Sequence, residues 1–158
     1  MENNNGIKIV NYVHELHHST FRQINIDWIK DKFDVEEIDE EVLGNPNKYI
    51  LNNGGAILMA EYECKFVGTC ALINEGDNVY ELTKMGVDKN YRGLKIGQLL
   101  GEATLQKAKE LGARKVILFS NTKGSENAIN LYRKLGFVEI PLDHAAYARA
   151  DIKMEIMI

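Results

Sequence analysis

The stretch that decides the fold is Glu-Leu-Thr-Lys-Met-Gly-Val at residues 81–87, followed by Tyr-Arg-Gly-Leu-Lys-Ile-Gly at residues 91–97. The first segment is typical of a strand. The second is a short basic turn, and apolar residues at helical spacing follow it. A strand that runs through such a turn into a helix presents backbone N–H groups and the positive end of a helix dipole to an anion. The order therefore predicts a phosphate-binding turn.

Basic residues are concentrated around this turn, although the chain of 158 residues carries a net charge of −4. Between residues 84 and 95 a single aspartate stands against four cations, which are Lys84, Lys89, Arg92 and Lys95. A small basic patch on an acidic protein favours one small polyanionic ligand over a nucleic acid. We therefore expect no nucleic-acid partner.

Length and composition predict a single globular domain over residues 1–158, since 45% of the residues are hydrophobic and 27% are charged. Residues 1–5 lack the basic and apolar regions of a signal peptide, and no apolar run has membrane-spanning length. Cys64 and Cys70 are expected in one extended segment, roughly 20 Å apart and beyond disulfide reach. These features predict a cytoplasmic protein with reduced thiols and no membrane partner.

The rest of the pattern predicts a mixed α/β sheet with helices on both faces. Strands are expected at residues 7–10, 56–60, 66–73, 79–87, 115–119 and 152–158. Helices are expected within residues 15–33, from residue 97 to about 111, and at 126–135, where Gly136 ends the last one.

A second motif is Ala-Ile-Asn-Leu-Tyr-Arg-Lys-Leu-Gly-Phe at residues 128–137, in which Tyr132 lies thirty-five residues after Gly97. Together the two motifs resemble the GNAT superfamily of acetyl-CoA-dependent N-acetyltransferases, over residues 56–137. The resemblance implies a central, mixed, mostly antiparallel sheet flanked by helices. It also implies transfer of the acetyl group of acetyl-CoA to a primary amine by direct attack in a ternary complex, with no metal.

The phosphate motif of this superfamily is usually Arg/Gln-x-x-Gly-x-Gly/Ala, and Arg92 takes its first position. Lys95 departs from the pattern because it stands at the first glycine position, and this substitution has a cost only if the backbone there needs a positive φ. The residues that the resemblance assigns to coenzyme A binding at the turn are Arg92, Gly93, Leu94, Lys95, Ile96, Gly97 and Gln98.

By the same resemblance, the backbone of Met85 and Val87 pairs with the pantetheine arm and polarises the thioester carbonyl. Gly86 between them is expected to mark a bulge or a close approach, because glycine weakens a regular strand. Relatives often carry a pantetheine-binding asparagine seven residues before the tyrosine, where this chain has Ser125. Asn121 and Asn127 are alternative residues for that contact, and the sequence leaves the choice open.

Two side chains are candidates for proton transfer. Tyr132 would protonate the departing thiolate, and the alternative is a tyrosine that only packs in the core. Glu81, expected on the same strand face as Thr83 and Met85, would accept the proton of the acceptor ammonium. The alternative for Glu81 is an exposed carboxylate at the end of the strand, paired with Lys84 or Arg92.

His-Glu-Leu-His-His at residues 14–18 satisfies the His-Glu-x-x-His pattern, in which His14 and His18 would bind zinc and Glu15 would act as base. No third ligand is evident, since the acidic residues 36–39 have the pattern of a solvated run. In a GNAT fold this helix lies near the acceptor, so its histidines with Phe21, Asn25 and Trp28 either line the amine site or pack in the core.

Three function classes follow: the acetyltransferase, a non-catalytic acyl-CoA-binding module, and a zinc hydrolase. The presence of Tyr132 and Glu81 favours catalysis over binding alone. The acceptor is left open between a small-molecule and a peptide amine, and the sheet edges of this fold are compatible with a homodimer.

Overall fold

The computed structural model describes residues 6–145 and 147–158, which contain seven strands and four α-helices. The strands are β1 (Lys8–Asn11), β2 (Ala56–Tyr62), β3 (Lys65–Gly76), β4 (Val79–Val87), β5 (Lys115–Ser120), β6 (Val138–Ile140) and β7 (Ile152–Met157). The helices are α1 (His14–Lys32), α2 (Glu37–Gly44), α3 (Ile96–Glu110) and α4 (Glu126–Leu135). A π-helical turn covers Asn47–Leu51, and a 3-10 turn covers Lys89–Tyr91.

The seven strands form one sheet in the order β1-β2-β3-β4-β5-β7-β6. Only β4 and β5 pair in parallel among the described strands, and every other neighbouring pair is antiparallel. The parallel pair needs a crossover, and α3 supplies it. The predicted mixed, mostly antiparallel sheet with flanking helices is confirmed.

Each face of the sheet buries its own apolar core. On the face covered by α3 and α4, the core includes Leu82, Leu100 and Leu118. On the face covered by α1 and α2, it includes Phe21 and Leu43. Full burial of such a side chain contributes about 1.5–3 kcal/mol, so both helical layers are held by apolar packing. We call these two sides the α3 face and the α1 face.

Strand β4 is irregular in its second half. Lys84 has a φ of 52°. The register of β4 against β3 shifts at this point: Ala71 pairs with Thr83, and two residues earlier in β3, Thr69 pairs with Gly86, three residues later in β4. This is a β-bulge, in which one extra residue of β4 is accommodated. Pairing of β4 with β5 also stops early, since it covers only residues 79–81. The two parallel strands therefore separate beyond Glu81.

Gly86 is required by a close approach rather than by the bulge, which lies before it. A Cβ atom at Gly86 would stand 2.7 Å from Cδ1 of Trp28 and 2.8 Å from Cγ2 of Ile24. Helix α1 therefore packs directly on the backbone of β4 at this point. Only glycine permits that distance.

The structure corrects two local predictions. The acidic residues 36–39 are not a solvated run: they begin α2, with a reciprocal capping box between Glu36 and Asp39. Cys64 lies in the β2–β3 turn with a φ of 65°, whereas Cys70 is buried in β3, and both thiols are free. No helix in the described part of the chain combines the length and the apolar character that crossing a bilayer requires.

Candidate active site

A cleft of about 450 Å³ opens where β4 and β5 separate. One wall is the second half of β4, and the opposite wall is the end of β5 with the start of α4. The turn before α3 closes one end of the cleft, and the last turn of α1 with residues 147–150 closes the other. All the segments assigned to acetyl-CoA by sequence therefore meet at one cavity of a size typical for small ligands.

The turn before α3 has the backbone of an anion site. Gly93 has a φ of 88°, and Lys95, the N-cap of α3, has a φ of 62° and a ψ of 24°. The N–H groups that follow Lys95 have no partner within the helix, as at any helix start, and the dipole adds positive potential there. The residues of this turn that line the cleft are Tyr91, Arg92, Gly93, Lys95, Ile96 and Gly97.

Two residues assigned to this turn lie outside the lining. Leu94 packs against the core on the α3 face. The Gln98 side chain donates a hydrogen bond from Nε2 to Oε1 of Glu102, 3.1 Å away on α3. Any contact of these two residues with a ligand would therefore come from their backbone.

Met85 and Val87 line the cleft from β4 and face α3, where a Cβ on Gly97 would lie 3.8 Å from Cε of Met85. Beyond Glu81, the edge of β4 that faces the cleft has no strand partner among the described residues. Its backbone groups are therefore available to a ligand that lies along the strand, as an added strand would.

Tyr132 reaches the cleft from α4 and is 8% exposed. Burial, followed by the nearby Cys70, raises the pKa of its phenol well above the ordinary value of 10.0. The ring packs edge-on against Phe137, and no hydrogen bond joins the hydroxyl to another described residue. Tyr132 is thus a protonated donor at neutral pH.

Glu81 is 7% exposed and lies outside the lining of the cleft. Its neighbours Tyr80 and Leu82 belong to the core on the α3 face, so Glu81 is directed to the α1 face. Burial and then a hydrogen bond and the charge of Glu75 raise its pKa to about 8. The expectation that Glu81 shares a face with Met85 is wrong, because the bulge between them moves Met85 to the α3 face.

The three candidates for the pantetheine contact all line the cleft, but they differ in availability. Asn121 donates from Nδ2 to the carbonyl of Arg149 and accepts from the N–H of Lys123. Ser125 makes no side-chain capping bond at the start of α4. The side chain of Asn127 likewise has no hydrogen bond to a described residue, so Ser125 and Asn127 are the available pair.

A buried ionic cluster, which the sequence did not predict, adjoins the cleft on the α1 face. We call it the Asp39 cluster; it consists of Glu36, Asp39, Lys84, Tyr147 and Arg149. Lys84 is 3% exposed and Asp39 is 0% exposed, and Nζ of Lys84 lies 3.0 Å from Oδ1 of Asp39. Lys84 therefore belongs neither to the predicted phosphate patch nor to a pair with Glu81.

Arg149 completes this cluster. Its Nη1 and Nη2 donate to the two oxygens of Asp39 at 2.7 and 2.8 Å, and Nη1 also donates to Glu36 at 3.1 Å. Burial alone would raise the pKa of Asp39, but the hydrogen bonds from Arg149 and the charge of Lys84 lower it to about 2. Asp39 is therefore ionised at any ordinary pH.

One sequence signal pointed towards this cluster: Lys84 carries a charge in the interior of a predicted strand. A charge at such a position must be paired. Its partner lies 45 residues before it in the chain, in a short helix that the sequence pattern did not reveal.

The histidines of residues 14–18 are engaged in packing and hydrogen bonds. His14 Nδ1 lies 2.9 Å from the hydroxyl of Tyr12, and His18 Nε2 donates to the carbonyl of Leu43 at 3.0 Å. The two rings stack at 4.6 Å. Within residues 6–145 and 147–158, no group of three metal-ligating side chains comes together.

Among the other side chains of α1 named for the acceptor, Trp28 alone lines the cleft. Phe21 belongs to the core on the α1 face. Asn25 is buried and accepts a hydrogen bond from Nε1 of Trp28 at 2.8 Å. Asn25 thus orients the indole from behind.

Comparison with known proteins adds independent information on the sequence. A family model described as the acetyltransferase (GNAT) family matches residues 11–137. The N-acetylaspartate synthetase of Xenopus tropicalis is 39% identical over 93 residues, which cover 58% of this chain and 34% of that protein. The mycothiol acetyltransferase of Sanguibacter keddieii is 33% identical over 98 residues, which cover 58% of this chain and 30% of that protein. These matches span about a third of each relative.

Solved structures match over nearly the whole chain. An acetyltransferase of the GNAT family from Staphylococcus aureus Mu50 has a TM-score of 0.84 and 26% identity, covering 95% of this chain and 98% of that one. The PaiA N-acetyltransferase from Thermoplasma acidophilum, solved in complex with coenzyme A, has a TM-score of 0.73 and 21% identity, covering 97% and 99%. At that identity the second likeness shows the fold alone.

Proposed function

The chain belongs to the acetyltransferase (GNAT) family, and on this premise we propose that it moves the acetyl group of acetyl-CoA to a primary amine by direct attack in a ternary complex. It is an acyltransferase, as the family match and the named acetyltransferase relatives indicate. The observation that carries the proposal is the separation of β4 from β5 beyond Glu81, which opens the cleft onto unpaired strand backbone.

The residues around the cleft offer groups suited to the diphosphate and the pantetheine arm of acetyl-CoA. We propose that the start of α3, with Arg92 and Lys95 beside it, binds the diphosphate, because amides and positive charges converge there. The pantetheine arm would lie along the unpaired edge of β4, with Ser125 or Asn127 as its side-chain contact. In this arrangement the thioester would lie between Met85–Val87 and the phenol of Tyr132.

The reaction needs an oxyanion donor and a proton donor at this point. When the amine nitrogen attacks the thioester carbon, a C–N bond forms and negative charge develops on the carbonyl oxygen. A backbone N–H of β4 near Val87 would stabilise that charge, and such preorganised donors contribute a few kcal/mol. As the C–S bond breaks, the thiolate would take the phenolic proton of Tyr132, and the tyrosinate would regain a proton from the positively charged nitrogen of the new C–N bond.

The acceptor ammonium must lose a proton before it attacks. Glu81 is our candidate base, and its pKa of about 8 gives it proton affinity suited to that role near neutral pH. Because Glu81 lies outside the lining of the cleft, the proton would reach it through water rather than by direct contact. The alternative of a surface carboxylate is removed by its burial.

Two assays test the proposed function. Calorimetry should detect coenzyme A binding that Arg92→Ala weakens, and a thiol-reactive dye should detect coenzyme A released from acetyl-CoA only when an amine is present. A protein that binds coenzyme A but releases no thiol with any amine would not be the proposed transferase. If a metal chelator inhibits thiol release, the result would instead favour the zinc-hydrolase alternative at residues 14–18.

A further inference from the structure

The Asp39 cluster forms part of the cleft wall next to the strand that would hold the thioester. Lys84 directly precedes Met85, and the side chains of Tyr147 and Arg149 also line the cleft. The guanidinium carbon of Arg149 lies 4.8 Å from the ring centre of Tyr147 and 5.7 Å from that of Trp28. The cluster therefore lies at the end of the cleft opposite the turn before α3, which is the proposed diphosphate site.

The two carboxylates of this cluster already accept hydrogen bonds from neighbouring protein groups, four on Asp39 and three on Glu36. Asp39 accepts from Lys84, from both terminal nitrogens of Arg149 and from the backbone N–H of Glu36. Glu36 accepts from Arg149 Nη1 and from the backbone N–H groups of Ala148 and Arg149. A carboxylate has about four acceptor positions, so Asp39 has none left. These acids therefore do not offer a binding site for an ammonium group.

The two cations, in contrast, keep unused donors. A guanidinium has five N–H groups, and Arg149 uses three of them, all on Asp39 and Glu36. Its Nε–H and its second Nη2–H, which together form one side of the planar fork, have no partner among the described residues. Lys84 has three N–H groups and uses two, on Asp39 and on the hydroxyl of Tyr147 at 3.0 Å. The unused donors of Arg149 and Lys84 carry positive charge, and the hydroxyl of Tyr147, which accepts from Lys84, keeps its own O–H as a further donor.

We propose that the Asp39 cluster is a carboxylate subsite, and that the acceptor is a small amine carrying a free carboxylate group. The side of the Arg149 fork matches a carboxylate in bidentate geometry, and Lys84 adds a second positive charge to the same cluster. The inference rests on the proposed function and narrows it from amines in general to amino acids and similar compounds.

The chemistry of the subsite also limits the type of acceptor. Lys84 directly precedes Met85, so the subsite adjoins the strand that would hold the thioester, and Trp28 and Tyr147 flank this part of the cleft. The N-terminus of a peptide has its own α-carboxyl group consumed in an amide bond. The subsite therefore excludes peptide N-termini and favours free amino acids.

Acceptors offered in matched pairs test the subsite. Each member of a panel of L-amino acids is compared with its α-carboxamide, which places N–H groups against the unused donors of Arg149. Thiol release should give a kcat/KM about 10²-fold higher for the acid than for the amide. Equal values for acids and amides would overturn the subsite while leaving the transferase intact.

Arg149→Lys tests the role of the fork without removing the charge. A lysine still pairs with Asp39 but offers no bidentate edge, so the acid-to-amide ratio should fall to below about tenfold. The ratio is taken within one preparation, so partial misfolding of the variant does not change it. The matched control is Arg114→Lys, because Arg114 pairs with Asp77 on the surface at 2.8 Å, outside the cleft lining. The control should keep the wild-type ratio, and a similar loss in both variants would refute the assignment.

Trp28 provides a readout that does not need turnover, since the chain contains one tryptophan and Arg149 lies over it. With coenzyme A present, titration with the preferred amino acid should change tryptophan fluorescence saturably, whereas its carboxamide should not. If this response occurs without thiol release for any amine, the proposed function fails and the carboxylate subsite stands. If neither fluorescence nor turnover distinguishes acid from amide, the Asp39 cluster only ties residues 147–149 to α2.

Discussion

Lys95→Gly should stabilise the ligand-free protein, although it removes a residue from the proposed phosphate turn. Lys95 is exposed, has a φ of 62°, and makes no side-chain capping bond at the start of α3. The left-handed conformation costs an L-residue about 1–2 kcal/mol. Glycine avoids that cost but loses about 0.5–1 kcal/mol through its greater freedom when unfolded. The net gain expected is about 0.5–1 kcal/mol.

Thermal unfolding of the ligand-free protein measures this gain. For a domain of this size, 1 kcal/mol shifts Tm by about 2–4 °C, so Lys95→Gly should raise Tm by about 1–4 °C. Chemical denaturation at fixed temperature checks that the change is one of free energy and that the m-value is preserved.

The matched control is Lys89→Gly. Lys89 is equally exposed and belongs to the same basic turn, but it lies in the 3-10 turn Lys89–Tyr91 and is absent from the positive-φ residues of the described chain. Glycine there should lower the stability by about 0.5–1 kcal/mol. The two variants lose the same charge, so changes in Tm of opposite sign would isolate the effect of the backbone conformation. A lowered Tm for both would refute the assignment of strain to Lys95.

Although Lys95→Gly should raise the stability, it should lower the affinity for coenzyme A. Each variant removes one exposed positive charge from the basic turn, and a charge beside the proposed diphosphate site contributes up to about 1 kcal/mol, or about fivefold in Kd. If Lys95→Gly both raises Tm and weakens coenzyme A binding more than Lys89→Gly does, this chain tolerates backbone strain at Lys95 in return for charge at the phosphate site.

Four further measurements probe the cleft and its supports. Tyr132→Phe should lower kcat by up to about 10²-fold and leave the Kd of coenzyme A unchanged in calorimetry; an unchanged kcat at saturation would remove the phenol from the mechanism. Wild-type kcat/KM should rise with pH around 8 as Glu81 loses its proton, and Glu81→Gln should abolish that rise; the same profile in both would assign Glu81 a structural role. The pKa of Asp39 is lowered from 3.8 to about 2, so its contribution of about 2 kcal/mol is complete above pH 4 and is lost as the pH falls towards 2. Urea unfolding of the wild type should show that loss, and Asp39→Asn should not. Gly86→Ala should destabilise the fold by about 1–3 kcal/mol in urea unfolding, because the new Cβ would stand 2.7 Å from Trp28; a neutral effect would mean that α1 shifts freely.

Elements with strong local signals were predicted closely from the sequence. The predicted bounds of β4 and α4 agree with the structure, since an apolar strand and a helix ended by Gly136 carry their own boundaries. The basic turn of residues 91–97 was likewise located, because its glycines and charges are adjacent in the chain. Such features depend on contacts over a few residues.

Features that depend on distant partners were not predicted. Helix α2 has only eight residues, five of them Glu, Asp or Gly, so its buried Val42 and Leu43 gave no clear period. Arg149 lies 110 residues from Asp39 in the chain, and no local pattern indicates that the two meet. The sequence pattern groups Lys84 with the basic residues of the turn that follows it, whereas the fold places Lys84 on the opposite side of the sheet from α3.

The bulge at Lys84 explains why both Lys84 and Met85 lie on the faces that the sequence pattern did not predict. One extra residue reverses the alternation of every later side chain in the strand. With regular alternation from Leu82, Lys84 would face α3 and the cofactor side, and Met85 would face α1. With the bulge, Lys84 joins Asp39 on the α1 face, while Met85 and Val87 face α3. The left-handed backbone at Lys84 costs about 1–2 kcal/mol, which the bonds from Nζ to Asp39 and Tyr147 can offset. A single strand thereby serves two ligands: its unpaired edge and α3 face would hold acetyl-CoA, and its α1 face would hold the carboxylate of the acceptor.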